Sequence, residues 1–215
     1  DEFSKMNDSG ARMSMALVDT LADLHRVDYQ KLGLQTLGKT EGFIERQVEG
    51  WYKRWTAAKH QEIPDMEALY SWLISNLPDS SDHTLVHNDY KLDNAMFSFE
   101  NPDQLVAVFD WDMCTLGDPL SDVGSLLCYW IDPEDPPFFK SVQMMPSDGS
   151  FLSRDQLAVR YAEKSGRDIS LISFYHILGL FRLVGIAAQI YIRYVRGQTK
   201  DKRFALFGEA IPLIA

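Results

Sequence analysis

The chain reads Leu85-Val86-His87-Asn88-Asp89-Tyr90-Lys91-Leu92-Asp93-Asn94 and, a little further on, Val106-Ala107-Val108-Phe109-Asp110. The first stretch fits H-x-D-x-x-x-x-N. The second sets an acid at the end of an apolar run of strand character. Asn94 follows Asp89 by five positions, so one loop can turn both to the same side, and Asp110 can join them from a neighbouring strand. Any one of the three reads equally well as a polar residue in a surface turn. The ordered set does not.

Phosphoryl transfer asks little of a protein: a group to orient the attacking hydroxyl, and oxygen ligands to hold magnesium on the phosphates. H-x-D-x-x-x-x-N is the catalytic-loop pattern of kinase-like phosphotransferases, which keep a magnesium-binding acid at a later strand end. Asp89 is then the candidate base, accepting a hydrogen bond from the acceptor hydroxyl and taking its proton. Asn94 brings a neutral oxygen and Asp110 a charged one, the hard ligands that magnesium prefers. Lys91, two residues after Asp89, is placed to bind the γ-phosphate and offset its charge.

The run continues as Asp110-Trp111-Asp112 and Leu116-Gly117-Asp118-Pro119-Leu120-Ser121-Asp122-Val123-Gly124. From His87 to Gly124 it resembles the aminoglycoside phosphotransferase and choline kinase-like family. Within that family it is similar to a branch related to domains fused to acyl-CoA dehydrogenases. Leu21-Ala22-Asp23-Leu24-His25, the Arg46 to Trp55 segment, and Arg196-Gly197-Gln198-Thr199 with Arg203-Phe204 extend the resemblance more weakly.

The resemblance implies Asp89 as catalytic base, Asn94 and Asp110 as Mg2+ ligands, and ATP as the phosphoryl donor. It implies structural parts for His87, bracing the loop, and for Asp122, a buried acid anchoring it. Asp122 reads equally as a helix-start carboxylate favoured by the helix dipole. Asp112 has two readings, a contact to metal through water or a purely structural one. Asn88 stands where the family usually has glycine, and asparagine tolerates unusual backbone angles.

Composition sets the bounds. At 215 residues, with 46% hydrophobic and 24% charged, the chain has ample length for a core and an ordinary globular make-up. A net charge of -10 argues against a general nucleic-acid or anionic-membrane binder. Cys114 and Cys128 lack metal-site spacing and read as small apolar residues in a reducing compartment. The longest apolar stretch, Leu178 to Ile192, is interrupted by Arg182 and Gln189 and reads as a buried helix. A cytoplasmic location is expected.

Helical spacing predicts a first helix with Ser9 at its cap and Met13, Leu17, Leu21 and Leu24 on one face. A second starts at Thr40 with Ile44, Val48, Trp51 and Trp55 in a stripe. A third opens at Pro64 and carries Leu69, Trp72 and Leu73. Ala95 to Ser98 and Leu105 to Phe109 read as strands joined by a turn around Asn101-Pro102-Asp103. A helix over Pro119 to Trp130 follows. Asp132 to Gly149, with four prolines, reads as an irregular loop. Helices over Ser153 to Ser165, Ser170 to Arg196 and Asp201 to Ile211 complete the chain.

The expected fold is α+β and mostly helical: one unit over 1–215, the carboxy-terminal, catalytic lobe of the protein kinase-like fold. Its parts are a catalytic loop at 85–94, a metal-binding segment at 105–124 and a proline-rich loop at 132–149. The amino-terminal lobe is expected to be absent. Only 86 residues precede His87, and they offer no place for a phosphate-covering loop or a strand lysine. ATP binding by this chain alone is therefore expected to be poor.

Two alternatives accompany this reading. One is a non-catalytic, pseudokinase-like binding module. The other is a P-loop ATPase, because Gly33-Leu34-Gln35-Thr36-Leu37-Gly38-Lys39-Thr40 matches G-x-x-x-x-G-K-T. A P-loop must leave a buried strand, yet His25 to Leu32 has no β-branched apolar run. The acceptor is open. Ser170 to Arg196 contains no acid but holds Arg182, Arg193 and Arg196, which fits an anionic or acyl-CoA-type alcohol better than a cationic aminoglycoside. A core helix with solvated arginines accounts for the same residues.

Overall fold

The computed structural model describes residues 8–79, 82–142, 145 and 148–215. Three helices come first: α1 (Ser9–Leu24), α2 (Phe43–Ala58) and α3 (Pro64–Ser75). The stripe Ile44, Val48, Trp51 and Trp55 is buried, as its spacing predicts. Pro64 opens α3, where its missing N–H has no intrahelical partner to lose. Two expected starts shift. Helix α2 begins at Phe43 because Gly42 turns left-handed (φ 62°) before it. Ser9 lies buried in the first turn of α1, and Asp8 takes the position ahead of it.

Residues 33–40 run through turns and irregular backbone. Among the described residues the first strand comes only at Thr84, so no strand feeds Gly33-Leu34-Gln35-Thr36-Leu37-Gly38-Lys39-Thr40. The P-loop alternative fails on that context.

Four short strands, β1 (Thr84–Val86), β2 (Ala95–Phe97), β3 (Leu105–Val108) and β4 (Thr115–Gly117), make two antiparallel pairs. The β2–β3 pair, with Ala95 opposite Val108, is the expected hairpin. The β1–β4 pair, with Leu85 opposite Leu116, is not legible in the sequence, since three residues are too few to show alternation. Together the pairs frame the motif. Strand β1 enters the loop, β2 leaves it, β3 leads to Asp110, and β4 leads to the next helix.

That helix is α4 (Pro119–Tyr129), followed by α5 (Pro137–Val142), α6 (Arg154–Ser165), α7 (Ile172–Val195) and α8 (Phe207–Ile214). The segment expected as irregular over 132–149 therefore contains a short helix, and its residues 143, 144, 146 and 147 lie outside the described residues. Arg154 ties this segment down. It donates to both Asp135 oxygens (2.7 and 2.6 Å) and to the carbonyls of Leu127 and Trp130. Ser153 caps α6 reciprocally with Gln156. The last expected helix splits into a 3-10 turn, Lys202–Leu206, and α8.

Helix α7 is long and apolar enough to cross a membrane by length and composition, yet here it packs against α2, α4 and α8 and supplies much of the core. Its closest approach is to α4. A Cβ on Gly124 would lie 2.3 Å from the Tyr175 carbonyl oxygen, and one on Gly179 would lie 2.3 Å from Cys128 Sγ. The two backbones meet because neither residue has a side chain. Gly124→Ala should therefore destabilise the protein by at least about 1–3 kcal/mol through overpacking. Urea unfolding measures this, and an unchanged midpoint would show that α7 can withdraw from α4 without loss.

Candidate active site

The loop after β1 is held by one buried carboxylate. Asp122, in the first turn of α4, is fully buried. Its Oδ2 accepts from the His87 backbone N–H (2.6 Å) and its Oδ1 from that of Asn88 (2.7 Å). His25, equally buried, sets its Nε2 3.3 Å from the same carboxylate, while its Nδ1 meets the Tyr161 hydroxyl at 2.8 Å. Asp122 thus combines a position in the first turn of a helix with hydrogen bonds to two loop N–H groups.

His87 supplies the second brace. Its Nδ1 accepts from the Asp89 backbone N–H (3.2 Å), which leaves Nε2 to donate to the Phe109 carbonyl (2.9 Å). One ring thereby connects the residue carrying Asp89 to the residue just before Asp110. Trp111 packs on that ring with centroids 4.6 Å apart, and its indole N–H is bound to the Val108 carbonyl. With both ring nitrogens engaged by backbone, His87 has no proton to trade with a substrate.

Asp89 lies in a small polar network. Lys91 Nζ is 3.0 and 2.8 Å from its two oxygens, and the Asn94 amide nitrogen donates to Oδ2 (2.9 Å) and to the Asp89 carbonyl (2.8 Å). Lys91 also lies over the ring of Tyr129, 5.1 Å from its centroid. Burial pushes the Tyr129 phenol up to about 12, so that ring faces the lysine as a neutral phenol at neutral pH. Since the Asn94 nitrogen is the atom turned to Asp89, its carbonyl oxygen is the atom left to serve as a ligand.

The backbone of Asn94 is paired to the strand that carries Asp110, because the Phe109 N–H donates to the Asn94 carbonyl (2.8 Å). Asp110 itself is exposed and left-handed (φ 62°), and no hydrogen bond or ion pair engages its carboxylate among the described residues. Asn88 is left-handed too (φ 63°), and its side chain donates to the Met113 carbonyl. Of the three described non-glycine residues with positive φ, two therefore flank this site. Asn and Asp carry that conformation at the lowest cost among side-chain-bearing residues. A carboxylate and an amide oxygen on neighbouring, backbone-paired segments are the hard oxygen ligands that a divalent cation shared with phosphate takes. Asp112 lies exposed in the 3-10 turn Trp111–Met113.

The family model described as the Phosphotransferase enzyme family matches residues 9–149. The chain belongs to this family. A candidate aminoglycoside phosphotransferase from Ralstonia eutropha superposes with a TM-score of 0.84 at 29% identity, over 98% of this chain and 64% of that one. Acyl-CoA dehydrogenase family member 11 of Rattus norvegicus is 35% identical over 208 residues, which is 95% of this chain and 27% of that protein. The chain thus spans little more than a quarter of the curated relative it matches. A macrolide 2'-phosphotransferase type I shares the fold, with a TM-score of 0.60 at 14% identity over 95% of this chain and 60% of that one. This family member accordingly has a kinase-like phosphotransferase fold with mostly helical α+β content and small sheets.

Sequence reasoning missed one supporting residue. Arg182 is 9% exposed and donates to the Asn88 carbonyl, so the loop is held from α7 as well as from α4. Its guanidinium lies over Trp51 at 5.3 Å from the ring centroid. The expectation of solvated arginines therefore fails at Arg182, while Arg193 and Arg196 are exposed. The signal was present as a cation in an apolar helix without an acid near it in sequence, which called for a carbonyl partner.

Asp122→Ala would leave two buried loop N–H groups without an acceptor, at a cost of about 1–3 kcal/mol each. The expected result is a lower unfolding midpoint together with faster amide exchange at His87 and Asn88. Exchange at those two amides as slow as in the wild type would refute the anchoring role.

Proposed function

We propose that this chain is the catalytic lobe of an ATP- and magnesium-dependent phosphotransferase that transfers the γ-phosphate to a hydroxyl of a small molecule. The observation that carries this reading is the shared bracing of Asp89, Asn94 and Asp110. Asp122 holds the loop from one side, and His87 spans from Asp89 to the residue before Asp110. In this reading Asp89 accepts the hydrogen bond of the acceptor hydroxyl and takes its proton as the new O–P bond forms. The bond from the γ-phosphorus to the β–γ bridging oxygen breaks, and ADP leaves.

Lys91 stands next to the base, and an arriving phosphate competes with Asp89 for it. Asn94 Oδ1 and the Asp110 carboxylate are the residues that would hold magnesium. When bound, magnesium supplies charge neutralisation on the phosphate oxygens. Family membership supports this assignment, since kinases of this kind generally use ATP and Mg2+.

An exposed apolar face supports the lobe assignment. Met96, Phe99, Val106, Phe109 and Trp111 are each 42–67% exposed around β2, β3 and the Asp110 turn. A nucleotide and a lobe covering it would remove that surface from water. For the acceptor, the acyl-CoA dehydrogenase relatives and the acid-free α7 favour an anionic or acyl-CoA-type alcohol.

Activity is tested on the complete enzyme containing this chain. Asp89→Ala should lower phosphoryl transfer by about 10²–10⁴-fold, the usual weight of a general base. Asp110→Ala should in addition raise the magnesium concentration needed for half-maximal rate. Turnover in Asp89→Ala equal to the wild type would remove Asp89 as base, and an unshifted magnesium requirement would remove Asp110 as ligand. No ATP turnover at all in the complete wild-type enzyme would leave a binding module.

A further inference from the structure

Between α2 and α7 lies a groove of about 560 Å³ that the catalytic reading does not use. Lys53 and Arg54 line one wall from α2. On the other wall Gln189 and Arg193 project from one face of α7, Arg196 caps that helix, and Gln198 follows. No acid lines it.

The chain carries 31 acids against 21 Lys and Arg, and half of its described cations lie in ion pairs while half do not. Arg12, Arg26, Arg154, Arg160, Arg167 and Arg203 each lie 2.5–2.8 Å from an aspartate. Among the described residues Lys53, Arg54, Arg193 and Arg196 have no such partner. Four like charges around one concavity repel each other, and an acidic chain offered many ways to neutralise them. Arg54 is also placed in advance, its guanidinium resting over the Trp51 ring at 4.7 Å from the centroid.

We propose that this groove binds the phosphate groups of a small molecule. Arginine forks match phosphate oxygens with paired hydrogen bonds, and four cations suit at least two phosphates rather than a single carboxylate. The two glutamines add neutral donors. Arg182, which holds the catalytic loop, and Arg193 in the groove are three turns apart on α7, roughly 16 Å at the helical rise. The groove is therefore separate from the loop, yet within reach of a long ligand whose hydroxyl lies at Asp89. This deepens the acceptor reading above and rests on it only in naming that ligand the acceptor.

Calorimetric titration of the chain with pyrophosphate at low ionic strength tests the site without any turnover. One saturable site is expected. The double substitution Arg193→Gln with Arg196→Gln, both at exposed positions, should weaken binding by about tenfold or more. Lys91→Gln, which alters the catalytic loop, should leave pyrophosphate binding as it was. The reverse pattern would assign the phosphate to the loop and overturn the groove, as would the lack of saturable binding. Pelleting with phosphatidylglycerol vesicles that is lost in the double variant, without pyrophosphate binding, would overturn the small-molecule site in favour of a lipid surface. Because no step requires catalysis, failure of the kinase reading leaves this result standing.

Discussion

The site depends on the burial of one charge. A carboxylate out of water is costly unless several donors meet it, and Asp122 is met by the N–H groups of His87 and Asn88 and by His25. Those donors come from places distant in sequence, so the carboxylate is satisfied only when α1, the loop after β1 and α4 are assembled together. The same bonds that make its burial tolerable fix where Asp89 begins. Stability and the geometry of the candidate site are thus coupled through one buried residue.

Around that anchor the loop is shaped by local choices that agree with it. Asn88 turns left-handed so that its carbonyl meets Arg182 while its N–H meets Asp122. Asp110 turns left-handed at the end of β3, which presents its carboxylate to solvent instead of to the hairpin. His87 measures the gap between the two turns with a rigid ring. The loop is therefore gripped from two helices, α4 through Asp122 and α7 through Arg182. Those helices can both reach it because Gly124 and Gly179 let them approach closely.

The solved structures similar to this chain share its fold while differing in what their titles say they act on. In this chain the loop and its acids are held by Asp122 and His87. The face between α2 and α7 lies outside that loop, and charge there can change without disturbing Asp122 or His87. A cationic groove in an acidic chain is a feature of that kind.

Much was legible in the sequence because it depends on local pattern. The α2 stripe, the Pro64 start, the helix expected over Ser153 to Ser165, the β2–β3 hairpin and the motif from His87 to Gly124 all follow from spacing and residue type. Tertiary structure decided what depends on partners far along the chain. The β1–β4 pair spans three residues a side and has no period to read. The proline-rich segment hid the short helix α5. Arg182 looked like any helix arginine until folding brought the Asn88 carbonyl to it. The sequence by itself determined which groups are available for phosphoryl chemistry. Only the fold decided which of them are spent on holding the loop, because a hydrogen bond is a property of two groups and the sequence states each of them alone.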